Sequence, residues 1–124
     1  MKLEVLSELY CFYLFRDKGA LLAQQTGDNT FVCSVPGDYS LMAPANHSVR
    51  DFEESESDWR CLAIVGQMAF SITGVAAEIT ARLAESDISV LVMSGYKTDY
   101  FFVKSEGLAL AIEALTSVGH EVIT

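Results

Sequence analysis

The polar residues able to do chemistry cluster in two short stretches. Ser71-Ile72-Thr73-Gly74 opens an amphipathic segment, and Ser94-Gly95-Tyr96-Lys97-Thr98-Asp99-Tyr100 joins two apolar runs. A helix N-terminus presents unpaired backbone N–H groups to an anion such as a carboxylate. Gly74 has no Cβ, so a ligand can approach the backbone there. Ser71 and Thr73 equally suit capping of the helix. Asp99 follows a hairpin tip and can receive an ammonium group. Asp38, beside Pro36-Gly37, is a second acid of this kind, though Asp is also an ordinary turn residue. Tyr96 and Tyr100 can wall a ligand or serve as packing aromatics with a wet hydroxyl. Lys97 at the tip reads as solvated. These groups suit the holding of a small ligand.

Support for catalysis is slight. His47 lies in a loop and His120 follows a helix stop, and neither has a Ser or Cys in a nucleophile pattern. There is no Walker loop and no GxGxxG. Cys11, Cys33 and Cys61 are odd in number, widely spaced and set in apolar stretches. They read as buried free thiols in a reducing compartment, not as a zinc site. Asp51 to Asp58 holds five acids in eight residues. It lacks the glycine and the alternating ligands of a calcium loop and reads as a solvated connector. No catalytic residue, metal site or cofactor is expected.

The elements that must position these residues follow from apolar period. Leu9–Phe15 is a continuous aromatic-rich run and reads as a buried strand. Ala20–Gln25 allows a helical turn or two. Thr30–Val35 and Tyr39–Ala43 flank Pro36-Gly37-Asp38 as a hairpin. Trp59–Val65 is a fourth strand. From Ile72 to Ser86, Ile72, Val75, Ala76, Ile79 and Leu83 share one helical face, with Glu78, Arg82 and Glu85 off it. Ile88–Met93 reads as a central strand covered on both sides, and Tyr100–Lys104 as its hairpin partner. Leu108, Ala111, Ile112, Leu115 and Val118 line a second helix that Gly119 stops. Glu121–Thr124 is a last, edge strand. The second half thus runs β-α-β-β-α-β, a split βαβ sheet with two helices on one face. The first half shares the strand-turn-hairpin order but lacks a second full helix and a closing strand.

The chain has 124 residues, 51% of them hydrophobic, with 8 basic and 17 acidic residues for a formal charge of −9. That is globular composition, and the acidic balance disfavours nucleic acid, which needs a Lys/Arg surface. No apolar run reaches the ~20 residues of a membrane helix, and no signal peptide is evident, so the cytoplasm is the expected location. So much apolar residue in so short a chain favours a homodimer.

At Ser71-Ile72-Thr73-Gly74, at Ser94 to Tyr100 and at Gly119-His120 the chain resembles the ACT family. The likeness is to the paired regulatory ACT modules of aspartate kinases and of eukaryotic arginine sensors. It covers most of the second half and continues more weakly into Phe31–Met42. The resemblance implies an α+β, ferredoxin-like βαββαβ ACT module at residues 59–124, preceded by an abridged ACT-like module at 1–58. It implies an amino acid or similar small zwitterion as ligand, held by Ser71, Thr73, Gly74, Tyr96 and Asp99, with Ser40 adding a contact from the first module. A regulatory protein without catalytic activity follows, acting on a separate and unidentified protein effector. Gly95 stands where the subgroup usually has Thr, and Tyr39 where it often has Glu. These departures carry the alternative, an ACT module for structure or protein interaction that has lost its ligand.

Overall fold

The computed structural model describes residues 1–66 and 74–124. The chain forms two compact units, one of residues 8–59 and one of residues 1–7 with 60–124, so that the first is inserted in the sequence of the second. The strands are β1 (Lys2–Val5), β2 (Tyr10–Phe15), β3 (Phe31–Val35), β4 (Asp38–Pro44), β5 (Glu54–Ile64), β6 (Leu91–Ser94), β7 (Asp99–Lys104) and β8 (Glu121–Ile123). The helices are α1 (Lys18–Leu22), α2 (Val75–Glu85) and α3 (Leu108–Thr116), the last entered through a short 3-10 turn. Among the described residues no helix is long and apolar enough to cross a membrane.

In the 8–59 unit the strands lie in the order β3-β4-β2-β5, each neighbouring pair antiparallel. This is the order of a split βαβ sheet. The single helix, α1, is capped by Asp17, whose carboxylate accepts from the Ala20 amide at 2.8 Å. Its Leu21 packs with Cys11, Tyr13, Phe15, Leu41 and Ala43 to make the core. Residues 45–53 occupy the place in the chain order of a second helix. That segment is fastened by Gln24, whose side-chain amide donates to the Arg50 carbonyl at 2.5 Å while its oxygen accepts from the Arg50 amide at 3.0 Å. The His47 ring is bonded to the Gln25 carbonyl.

The sequence left this half without a closing strand and read 51–58 as a connector. The structure departs from both expectations. The first part of β5 pairs with β2 through Glu54, Ser55, Glu56 and Trp59, and so closes the sheet. Glu-Ser-Glu-Ser is polar on both faces, so no apolar alternation announced it. The register shifts between Tyr10 and Phe12, and Asp58 takes φ 67°, a left-handed conformation that Asp tolerates better than most residues.

The other unit has the order β8-β1-β5-β7-β6. Strand β1 is antiparallel to β5 and parallel to β8. Residues 1–7, expected in the first module and without a strand, supply β1 to this unit, and Leu3 is fully buried. Four residues alternating Lys-Leu-Glu-Val give too short a period-2 signal to stand out. Helices α2 and α3 cover one sheet face, burying Ile79, Leu83, Ala111 and Leu115 against Leu3, Leu62, Ile64, Phe101 and Val103. Val75, Ala76 and Leu108 pack there as expected, whereas Val118 lies beyond the end of α3 and is exposed. Ile72 lies outside the described residues. Gly119 has φ 97°, and the His120 amide donates back to Leu115 at 3.1 Å, which closes the helix as foreseen.

The run Ile88–Met93 does not form a central strand. β6 starts at Leu91 and among the described residues pairs with β7 alone, with Val92 and Ser94 exposed. Ile88 and Val90 belong instead to the approach and pack on the helix-side core. An apolar run has the same appearance whether it packs as loop or as ladder, so periodicity could not separate the two.

Candidate functional site

Helix α2 carries Val75, Ala76, Ile79 and Leu83 of the expected apolar face. Gly74 is the N-cap residue, with φ 79°, and among the described residues no side chain caps this end. The positive φ is open to glycine at little cost and strained for other residues. The Gly74 carbonyl accepts from the Glu78 amide at 2.8 Å, starting the helical ladder. Ser71 and Thr73 lie outside the described residues.

The β6–β7 hairpin is closed by the Gly95 amide donating to the Thr98 carbonyl at 2.9 Å, which leaves Tyr96 and Lys97 at the tip. Thr98 Oγ1 donates to the Ile64 carbonyl at 3.3 Å and ties the tip to β5. Asp99 follows at once, half-buried and paired across the ladder with Ser94. Tyr96 is 79% exposed. Tyr100 is half-buried. A Cβ at Gly95 would meet the Tyr100 ring at 3.4 Å and the Thr98 carbonyl at 3.5 Å. The backbone therefore does not demand glycine there.

Asp99 lies on the sheet face that bears Phe101 and Val103, hence on the helix side. The structure thus puts Gly74, Tyr96 and Asp99 in the 1–7/60–124 unit. Ser40 belongs to the 8–59 unit, 6% exposed in β4, where its hydroxyl donates to Asp38 at 2.9 Å.

Ser40 also lines a cleft that the sequence did not reveal. Its volume is about 400 Å³, and Phe12, Tyr13, Leu14, Asp38, Glu54, Ser55 and Glu56 complete it. The registers set Ser40, Leu14 and Glu54 in one cross-strand row and Met42, Phe12 and Glu56 in the next. These rows occupy the sheet face opposite α1. Three carboxylates over an apolar floor suit a cationic head on an aliphatic or aromatic body. The missed signal was the polar alternation of Glu54 to Ser57, which only the pairing of β5 with β2 makes meaningful.

Burial pushes the Tyr13 phenol up to about 12, with the neighbouring Cys11 acting in the same direction. Burial also pushes the Cys61 thiol up to about 12, opposed by a hydrogen bond from the Phe101 backbone. Neither group is a nucleophile at neutral pH. All three cysteines are free, Cys11 and Cys61 buried and Cys33 half-buried. His120 Nε2 lies 3.3 Å from Glu78, whose carboxylate also takes two bonds from Arg82 Nε at 3.2 Å. Arg82 first and His120 second hold the Glu78 carboxyl below its usual value of 4.5. This cluster fastens α2 to the segment that follows α3. Among the described residues no group of three His, Cys, Asp or Glu is disposed to hold a metal.

Comparison with known proteins places the chain. The family profile of the ACT domain matches residues 54–117. The human cytosolic arginine sensor for mTORC1 subunit 1 is 30% identical over 92 residues, covering 65% of this chain and 28% of the sensor. The rat protein of that name is 29% identical over 91 residues. The chain thus spans under a third of the curated relatives it matches. A crystal structure from Agrobacterium tumefaciens superposes with a TM-score of 0.87 over 98% of this chain and 91% of that one, at 22% identity. Aspartokinase alpha and beta subunits superpose with a TM-score of 0.66 at 16% identity, covering 94% and 96% of the two chains. The ligand-free regulatory subunit of aspartate kinase from Thermus thermophilus gives 0.61 at 13% identity, covering 94% and 96%. The chain belongs to the ACT domain family and has its α+β, ferredoxin-like fold.

Proposed function

We propose that the protein is a regulatory ACT protein that binds an amino acid or a similar small zwitterion and performs no chemistry on it. What supports this reading is that one unit holds both a helix N-terminus opened by Gly74 and a half-buried Asp99. The first offers backbone N–H groups to a carboxylate. The second offers a charge-assisted hydrogen bond to an ammonium group. Tyr96 supplies an exposed ring on the hairpin that carries Asp99. Kinship with an arginine sensor across 65% of the chain supports the ligand class. The cytosolic name of that relative and the free thiols support a cytoplasmic location. In this reading the chain acts as a homodimer and passes its signal to a separate protein.

Calorimetric titration tests the site. Asp99→Ala removes a charge-assisted contact and weakens binding by roughly 1.5–3 kcal/mol, about ten- to a hundredfold, with the fold intact. Lys97→Ala on the same hairpin changes little. Equal affinity of Asp99→Ala and the parent for a ligand the parent binds removes Asp99 from the site. The second reading, an interaction module without ligand, is favoured by Gly95, where the subgroup's hydroxyl is absent although the backbone has room for a side chain.

A further inference from the structure

The cleft on the sheet face opposite α1 has acids on two sides of an apolar floor. Phe12 and Leu14, both half-buried, are the floor on β2. Glu54 and Glu56 of β5 flank it on one side and Asp38 of β4 on the other. The registers of β2 with its neighbours put Ser40 and Glu54 on opposite flanks of Leu14. Asp38, two residues from Ser40, shares its face. Ser40 is 6% exposed and donates to Asp38 Oδ1 at 2.9 Å. That bond holds the carboxylate over the cleft and leaves Oδ2 to accept from a ligand.

Nothing in the cleft balances these charges. Among the described residues no ion pair involves Asp38, Glu54 or Glu56, and no Lys, Arg or His is in the lining. Arg16, which follows β2, pairs with Asp17 at 3.6 Å. A ligand that carries a carboxylate is repelled here, which sets the cleft apart from an amino-acid site. A single metal ion does not answer the set either, because among the described residues no three such ligands converge. Two strand spacings separate β4 from β5, roughly 10 Å. One compact cation reaches one flank only. A cation charged at both ends, with an apolar middle, reaches both and covers the floor. The volume of about 400 Å³ is that of a small-molecule site.

We propose that this cleft binds an aliphatic polyamine. One ammonium group donates to Glu54 and Glu56, another to Asp38 Oδ2, and the methylene chain lies on Phe12 and Leu14. Charge-assisted hydrogen bonds fix the two ends, and burial of the methylenes against the floor adds to them. The site belongs to the 8–59 unit, whereas Gly74 and Asp99 belong to the other. Its ligand has no carboxylate, so failure of this proposal leaves the amino-acid reading standing.

Calorimetric titration of the full chain with spermidine, cadaverine and pentylamine tests it. Spermidine and cadaverine are expected to bind the parent. Pentylamine has the carbon chain of cadaverine but one ammonium group, and is expected to bind about tenfold more weakly. Glu56→Gln is expected to weaken spermidine about tenfold. Asp38→Asn keeps an acceptor for Ser40 and is expected to make cadaverine and pentylamine bind alike. Asp28→Asn removes the same charge from an exposed turn outside the cleft and is expected to change nothing. It separates the site from the general attraction of a cation to a chain of formal charge −9. All three replacements are isosteric and at exposed positions, so the fold is expected to stand. No binding of spermidine at millimolar concentration, equal affinities of the parent for cadaverine and pentylamine, or a loss in Asp28→Asn as large as in Glu56→Gln overturns the proposal. An oligolysine peptide that binds where neither polyamine does would overturn it in favour of a basic segment of a partner protein.

Discussion

The two units carry the same split βαβ plan and depart from it in opposite directions. The 8–59 unit is shortened: its one helix has five residues, and a loop pinned by Gln24 replaces the other. The 1–7/60–124 unit is extended: β1 is interposed between β5 and β8, and helices of eleven and nine residues cover the sheet. The difference teaches that sheet order outlasts helix content. Strands are tied by ladders between distant residues, whereas a helix can be replaced by any segment that satisfies the carbonyls and covers the core. It also divides the polar chemistry. In the extended unit the candidate groups, Gly74 and Asp99, sit at element ends. In the shortened unit the acids line the sheet face away from the helix.

Deleting core volume is expected to separate the units most strongly. Leu83→Ala, within a fully buried two-helix core, is expected to cost near the top of the ~2–5 kcal/mol range for Leu→Ala. Leu21→Ala, under a five-residue helix with room to settle, is expected near its bottom. Urea unfolding with the slope held constant measures both. Equal losses would show that the short helix supports a core as rigid as the long ones.

The binding chemistry sharpens the comparison next. Asp99→Ala is expected to act on affinity and Ser40→Ala on stability. Ser40→Ala loses its bond to Asp38 and is expected to cost about 0.5–1.5 kcal/mol. An unchanged stability would mean that the Asp38 carboxylate turns to solvent without loss.

The smallest effect lies in the Glu78 cluster. Its carboxyl is held below the ordinary value of 4.5 by Arg82 and then His120. The stability it contributes is present above that ordinary value and is lost as pH falls through the lowered folded-state value. Glu78→Gln should therefore be less stable than the parent at neutral pH, and the gap should close in acid. Guanidinium melts from pH 7 down to pH 3 check the sign. A gap that stays constant across this range would exclude a linked proton at Glu78.

In the extended unit α2, α3 and β7 were legible in the sequence because they carry clean periods. The facing residues Val75, Ile79, Leu83, Ala111 and Leu115 were all readable before the fold was known. Three features were hidden for physical reasons. The strand from Glu54 to Asp58 is polar on both faces, so only its ladder partner identifies it. The four residues of β1 gain their place from contacts with β5 and β8, far away in sequence. Ile88 and Val90 are as apolar as strand residues but pack as a loop. Of the site, the hairpin position of Asp99 and the glycine at the head of α2 were readable. The cleft around Ser40 was not, because β2, β4 and β5 come together only through pairing.

A thermal-shift titration of the parent chain against each proteinogenic amino acid tests amino-acid binding most directly, because a ligand that prefers the native state raises its apparent stability by mass action. One amino acid, or a small set of related side chains, is expected to raise the melting temperature in a dose-dependent way, and Asp99→Ala to diminish that rise. A melting temperature that no amino acid moves at millimolar concentration would contradict the sensor reading and leave an ACT module that works through protein contacts alone.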